Sequence, residues 1–149
     1  MIYASSSLVI NISAASLWNV LEEFIRRPTQ GNYVKDSVVI ENYHDGFKRS
    51  SFIAGEVGVV ERVFLLKDQC KMIMKLEGHP LCIGDTIYQL VYSNQEELSD
   101  RRVTLCAVLT WRMRPGVIEA PVTIDKQIIL NDLLQAISEK AVKERHALV

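Results

Sequence analysis

The stretch Leu8-Val9-Ile10-Asn11-Ile12-Ser13-Ala14-Ala15-Ser16-Leu17-Trp18-Asn19-Val20-Leu21 decides the fold, because the period of its apolar side chains changes within it. In the first half every second residue is apolar, which predicts a strand over residues 3–13. From Leu17 onward the apolar residues recur at helical spacing, which predicts a short amphipathic helix with Ser13 or Ser16 as its N-cap. Pro28 prevents easy continuation of this helix.

The middle of the chain predicts a succession of antiparallel strands. Asp45-Gly46 is a strong hairpin signal between two of them, and Gly78-His79-Pro80 interrupts a later one. Period-2 alternation is clearest near the end, where residues 103, 105, 107, 109, 111 and 113 share one face. The predicted strands cover residues 38–43, 47–53, 57–66, 70–76, 86–92 and 102–114.

A long amphipathic helix is predicted over residues 122–145, with two neighbouring apolar rows. These rows are Ile129, Leu133 and Ile137, and Leu130, Leu134 and Ala141. Consecutive hairpins imply a sheet whose apolar face the two helices cover. We therefore expect an α+β fold, in which a curved antiparallel sheet of about six or seven strands surrounds the C-terminal helix and a short helix follows the first strand.

Composition favours one domain over residues 1–149 and excludes several classes of function. The net charge of -1, from 17 basic and 18 acidic residues, gives no bulk electrostatic case for binding nucleic acid. No apolar run approaches the roughly 20 residues of a transmembrane helix, and the N-terminus lacks a signal-peptide pattern. Three widely spaced cysteines, Cys70, Cys82 and Cys106, favour reduced thiols in a cytoplasmic protein.

The opening stretch resembles the start of the START-like superfamily, also called the helix-grip or polyketide cyclase/dehydrase-like superfamily. The middle of the chain is similar to its uncharacterised AtaL-like subgroup, in Gly58-Val59-Val60-Glu61-Arg62-Val63-Phe64-Leu65 and in the run from Val103 to Trp111. The superfamily resemblance covers nearly the whole chain. It implies a hydrophobic cavity between sheet and C-terminal helix that takes lipids, polyketides, isoprenoids or other aromatic molecules. The subgroup supplies no residue roles to carry over.

Eight residues are candidates for lining such a pocket. Methionine adapts to irregular apolar shapes, and tyrosine and tryptophan add a polar group to a large apolar surface. Ordinary core packing is the competing explanation for these side chains, and a plain surface loop is the competing explanation for the histidine. The candidates are Arg62, Met72, Met74, His79, Tyr88, Tyr92, Trp111 and Met113.

Charged residues provide two further hypotheses. Glu61 and Arg62 interrupt an apolar strand, so one of them must point toward the concave side, where Arg62 would hold a carboxylate. The competing and favoured explanation is that strands near a barrel mouth keep such charges in water. A basic stripe on the outer face of the sheet is the second, and a solvated face explains it equally well. This stripe comprises Lys71, Lys75, Arg102, Arg112 and Arg114.

No motif of a hydrolase, nucleotide-binding loop or metal site is present, so we expect no metal and no cofactor. The favoured function is binding of a small hydrophobic or aromatic molecule, as a carrier or sensor. One alternative is a polyketide cyclase/dehydratase-like enzyme in the same cavity, with His79, Tyr88, Tyr92 and Arg62 as acid–base candidates. Another alternative is a protein-interaction module. The ligand, any reaction and the oligomeric state are left open by the sequence.

Overall fold

The computed structural model describes residues 2–27, 32–53, 58–92, 102–117 and 125–147. It contains seven strands: β1 (Ile2–Asn11), β2 (Val34–Tyr43), β3 (Gly46–Ile53), β4 (Gly58–Leu66), β5 (Lys71–Gly78), β6 (Cys82–Tyr92) and β7 (Arg102–Met113). Two α-helices, α1 (Ala14–Arg26) and α2 (Lys126–Ala147), accompany them, with a 3-10 turn at Lys67–Gln69. The predicted α+β fold is confirmed.

The strands form one antiparallel sheet in the order β1-β7-β6-β5-β4-β3-β2, which is curved and unclosed. The predicted hairpin at Asp45-Gly46 is confirmed, and it joins β2 to β3. Gly46 has φ +153°, and a Cβ there would lie 2.0 Å from the Val63 carbonyl oxygen, so only glycine allows β3 to approach β4 so closely. In the pairing of β3 with β4, Arg49 lies opposite Glu61.

Helix α1 begins where the sequence predicts. The Ser13 hydroxyl accepts a hydrogen bond from the Ser16 backbone N–H at 3.2 Å and so caps the helix N-terminus. The apolar stripe of the helix is buried, because it faces α2 and strands β2 and β6. Its buried residues are Leu17, Trp18, Val20, Leu21, Phe24 and Ile25.

Helix α2 packs on β1, β7 and α1. The Gln127 side-chain amide pairs with the exposed edge of β1, donating to the Ser5 carbonyl oxygen at 2.6 Å and accepting from the Ser5 N–H at 3.1 Å. It thereby satisfies backbone groups that an edge strand leaves unpaired. Residues 122–124 of the predicted helix lie outside the described residues, and the described helix runs two residues past the predicted end.

Candidate functional site

The face of the sheet that meets the helices, here called the inner face, carries most of the predicted pocket residues. Met72, Met74, Tyr88 and Trp111 are all buried, because each lies at an alternate position in phase with the core of its strand. Met113 shares that phase, but it lies at the end of β7 and is only half-buried. Of the seven candidates that lie on strands, four are therefore buried on the inner face and Met113 lies at its margin.

A buried ion pair also lies on the inner face. Arg49 Nη2 and Nε donate to Glu61 Oε1 at 3.0 and 3.2 Å, and both side chains are at least nine-tenths buried. Arg49 Nη1 donates to the Ile25 carbonyl oxygen at 2.7 Å, near the C-terminal end of α1. The pair therefore fastens the β3–β4 hairpin to that helix and satisfies a carbonyl that the helix leaves unpaired.

Arg49 is the site residue that sequence reasoning missed. Its signal was present, since Arg49 lies in phase with the apolar residues Phe47 and Ile53 of the same strand. Arg49 also lies opposite Glu61 in the antiparallel pairing of β3 with β4. When β3 and β4 are considered together, the inward-pointing Glu61 indicates Arg49 as its buried basic partner.

Arg62 does not belong to the inner face, which corrects its place among the pocket candidates. Because Glu61 points inward, Arg62 points to the opposite, outer face, where it is ion-paired with Asp45. Its guanidinium carbon lies 4.0 Å from the centroid of the Tyr43 ring and 4.3 Å from that of Phe64. These contacts brace the hairpin, and they leave Arg62 remote from the interior.

His79 packs against Trp111 at one end of the inner face. The ring centroids are 5.6 Å apart in an edge-on arrangement, and Lys126, the first residue of α2, places its Nζ 5.5 Å from the Trp111 ring centroid. His79 is 5% exposed, so it is a buried residue and not a plain surface-loop histidine. His79, Trp111 and Lys126, here called the inner cluster, join the β5–β6 turn, β7 and the start of α2.

The hydrogen bonds of His79 and the protonation of Tyr88 favour a role as hydrogen-bond donors over acid–base chemistry. The His79 Nδ1 accepts the backbone N–H groups of Leu81 and Cys82 at 3.1 and 3.0 Å, so the neutral ring carries its proton on Nε2. Burial raises the pKa of the Tyr88 hydroxyl above its ordinary value of 10.0, although Arg49 opposes this shift. Tyr88 therefore keeps its proton at physiological pH.

Three buried side-chain polar atoms have no hydrogen-bond partner in the described part of the chain. They are the Trp111 Nε1, the Ser51 hydroxyl and the Ser37 hydroxyl, and the first two belong to residues that are at most 3% exposed. Leaving such a group unsatisfied costs about 1–3 kcal/mol, so each calls for an explanation. For Trp111, the explanation would be a bound molecule with a polar group that accepts a hydrogen bond from the Nε1.

Tyr92 lies apart from these groups. It is 46% exposed at the end of β6, and its hydroxyl lies 3.9 Å from the Cys70 Sγ. The hydrogen bond and charge interaction with Cys70 raise the pKa of Tyr92 above its ordinary value. Because it reaches solvent beyond the last inward residue, Leu90, the structure does not bring Tyr92 into the interior.

The described residues contain no candidate metal site and no candidate membrane-spanning helix. No group of three histidine, cysteine or acidic residues there could hold a metal ion. No described helix is long and apolar enough to cross a membrane.

Comparisons with known proteins give the fold a context. No protein-family model and no curated protein matches the chain. A solved structure from Thermus thermophilus matches with a TM-score of 0.76 at 8% identity, over 95% of this chain and 98% of that chain. A START superfamily protein from Mycobacterium smegmatis matches with a TM-score of 0.66 at 12% identity, over 99% of both chains.

The Zhui aromatase/cyclase from Streptomyces sp. R1128 also matches, with a TM-score of 0.70 at 12% identity, over 95% of this chain and 92% of that chain. At such identities the likeness shows the fold alone. The START-like helix-grip fold expected from the sequence is thereby confirmed. Membership of the AtaL-like subgroup stays a prediction.

Proposed function

We propose that this protein binds a small hydrophobic or aromatic molecule of lipid, polyketide or isoprenoid type between the sheet and α2, as a carrier or sensor. One observation carries the proposal: the Trp111 Nε1 is buried, lacks a partner among the described residues, and belongs to a ring in contact with the first residue of α2. An indole in this position offers a bound molecule a flat apolar surface and one donor.

The surroundings of Trp111 fit a ligand that is apolar with one or two acceptor atoms. Met72 and Met74 contribute adaptable apolar surface on β5, and the Tyr88 hydroxyl stays protonated. The Arg49–Glu61 pair is closed on itself and on α1, so it leaves no open charge for the ligand to neutralise. The Arg49–Glu61 pair therefore provides no counter-ion for a charged ligand.

A cyclase/dehydratase-like enzyme is the second candidate function, favoured by the likeness to an aromatase/cyclase fold. The states of His79 and Tyr88 weigh against it. A general base needs an available lone pair near neutral pH, whereas the His79 Nδ1 already accepts two backbone N–H groups. Binding without turnover therefore ranks first.

Native mass spectrometry of the purified protein, followed by solvent extraction, tests the proposal. We expect a reproducible apolar adduct whose extracted mass identifies its chemical class. Titration with the uncharged probe N-phenyl-1-naphthylamine provides a second readout, because extraction with solvent beforehand should increase the number of probe sites. A clean protein mass together with no saturable binding of the probe would contradict the proposal.

Two tryptophans provide a matched pair of variants for the same measurement. Trp18 and Trp111 are each 3% exposed and both belong to the hydrophobic core, but Trp18 lies on α1 and Trp111 lies on β7. Trp111→Phe keeps an aromatic ring and removes the indole N–H, so adduct occupancy should fall about five- to ten-fold, the equivalent of one hydrogen bond. Trp18→Phe should retain the adduct. Equal occupancy in both variants would mean that Trp111 is ordinary core.

A further inference from the structure

The sheet divides between β5 and β6. Their ladder ends at the pair Lys75 and Asp85, although β5 continues to Gly78 and β6 begins at Cys82. A pocket of about 500 Å³ opens where the two strands separate, and we call it the fork pocket. This volume lies within the range of about 300–1,000 Å³ that is typical of small-molecule sites. Its lining residues are Lys75, Leu76, Ile83, Gly84, Asp85, Thr110, Trp111 and Arg112.

Local structure holds the fork open. Gly84 has φ +142°, and a Cβ there would lie 2.2 Å from the Thr110 carbonyl oxygen, so β6 approaches β7 more closely than any other residue would permit. The turn after β5 is fixed in its own way, because the Arg114 Nε donates to the His79 carbonyl oxygen at 2.7 Å. The close approach of β6 to β7 at Gly84 and the hydrogen bond of Arg114 therefore fix the backbone on both sides of the pocket.

The chemistry of the fork pocket is cationic at its rim and apolar at its floor. Lys75 and Arg112 come from the outer face, and neither side chain forms a hydrogen bond or ion pair with another described residue. Asp85 is equally unpaired within the described ranges, which leaves the rim with a net charge of +1. Leu76 and Trp111 belong to the inner face and close the pocket from below.

We propose that the fork pocket is a second binding site, on the outer face, for a small carboxylate with a flat apolar body. The carboxylate would pair with Arg112 and Lys75, since the guanidinium fork matches its two oxygens. The apolar body would cover Leu76 and Ile83. Asp85 would disfavour dianions and orient the carboxylate toward the cations. This inference is independent of the function proposed for the interior.

Amide chemical-shift mapping with naphthalene-2-carboxylate tests the proposal, with naphthalene-2-methanol as the uncharged control. We expect saturable shifts of the backbone amides of Gly84, Asp85 and Arg112 with the carboxylate only. Shifts confined to interior amides such as that of Met72 would overturn the proposal, as would equal shifts with the alcohol. Because the readout is positional, failure at the fork is distinguishable from failure of the interior site.

Charge variants complete the test, with a control on the same strand. The double variant Lys75→Gln/Arg112→Gln should raise the Kd for naphthalene-2-carboxylate by about ten-fold or more, which corresponds to about 1.4 kcal/mol. Lys71→Gln removes a cation from the outer face of β5 outside the pocket lining and should change the Kd by less than about two-fold. If Lys71→Gln raised the Kd as much as the double variant does, the effect would be general charge attraction and the proposal would be overturned.

Discussion

Glu61 and Arg62 are neighbours in the chain, but they belong to two different electrostatic environments. Glu61 is paired with Arg49 on the inner face, where their side chains are 7% and 5% exposed. Arg62 is paired with Asp45 on the outer face, where the carboxylate is 50% exposed. Adjacent residues of β4 point to opposite faces of the sheet. The Glu61 pair is therefore shielded from water, whereas the carboxylate of the Arg62 pair is solvated.

The contrast predicts that the stability lost on removing one partner of a salt bridge depends on whether water can solvate the charge that is left. On the inner face, removal of a partner leaves an uncompensated buried charge, which costs far more than the pair itself contributes. On the outer face, water solvates the remaining carboxylate, so most of the stabilisation by Arg62 comes from stacking on Tyr43 and Phe64 and from hydrogen bonds to backbone. The following predictions test this contrast.

Loss of Glu61 should have the largest effect. Glu61→Ala leaves the Arg49 guanidinium buried without its carboxylate, so we expect the free energy of unfolding to fall by about 3–5 kcal/mol. Urea titration followed by circular dichroism measures this change. The double variant Arg49→Met/Glu61→Leu is the control and should recover most of the loss, because apolar side chains replace the pair. A double variant as unstable as Glu61→Ala would contradict the desolvation argument.

Loss of Arg62 should have an intermediate effect. Arg62→Met removes two cation–π contacts and the hydrogen bond to the Val63 carbonyl oxygen at 2.6 Å, so we expect a loss of about 1–2 kcal/mol. The same urea titration provides the comparison with Glu61→Ala. Arg62→Lys keeps the charge without the planar group and should recover less than half of the loss. Full recovery by lysine would show that charge alone stabilises the outer face.

The outer carboxylate should have the smallest effect, and one that depends on pH. The hydrogen bond and charge of Arg62 hold the pKa of Asp45 below its ordinary value of 3.8. A depressed pKa contributes stability above 3.8 that is lost as pH falls through the folded-state value. Asp45→Asn should therefore be less stable than the parent near neutral pH, and the two should converge in acid.

Thermal unfolding at a series of pH values measures that convergence. Asp68→Asn serves as the control, since Asp68 is an exposed residue of the 3-10 turn with no ion pair in the described part of the chain. Its stability should follow that of the parent at every pH. A difference for Asp45→Asn that persists unchanged in acid would assign the effect to the side-chain amide instead of the lost charge.

Most of the fold was predictable because its signals are local. The change from period 2 to helical spacing at Ser13 located the first strand and α1, and Asp45-Gly46 located the first hairpin. Strand β2 begins four residues earlier than predicted, at Val34. Its first part has a register shift near Asp36, whose φ is +55°, and this irregularity erased the alternation that identifies a strand.

The candidate site was predicted less completely. The burial of Met72, Met74, Tyr88 and Trp111 is predictable because the alternation within one strand shows it, and their role as ligand contacts stays a prediction. Arg62 was placed on the wrong face, since either of two adjacent charges satisfies the same local pattern. Arg49 was missed, because its partner and the carbonyl of Ile25 lie 12 and 24 residues away along the chain.

By itself the sequence determined the order of the elements, the alternation of faces along each strand and the apolar stripe of each helix, because steric and hydrophobic preferences act over a few residues. The tertiary structure alone decided that Glu61 points inward to Arg49, that Trp111 contacts both His79 and Lys126, and that β5 and β6 separate into a fork. These features depend on the register between strands and on desolvation at contacts between distant residues, and neither is encoded in any single segment.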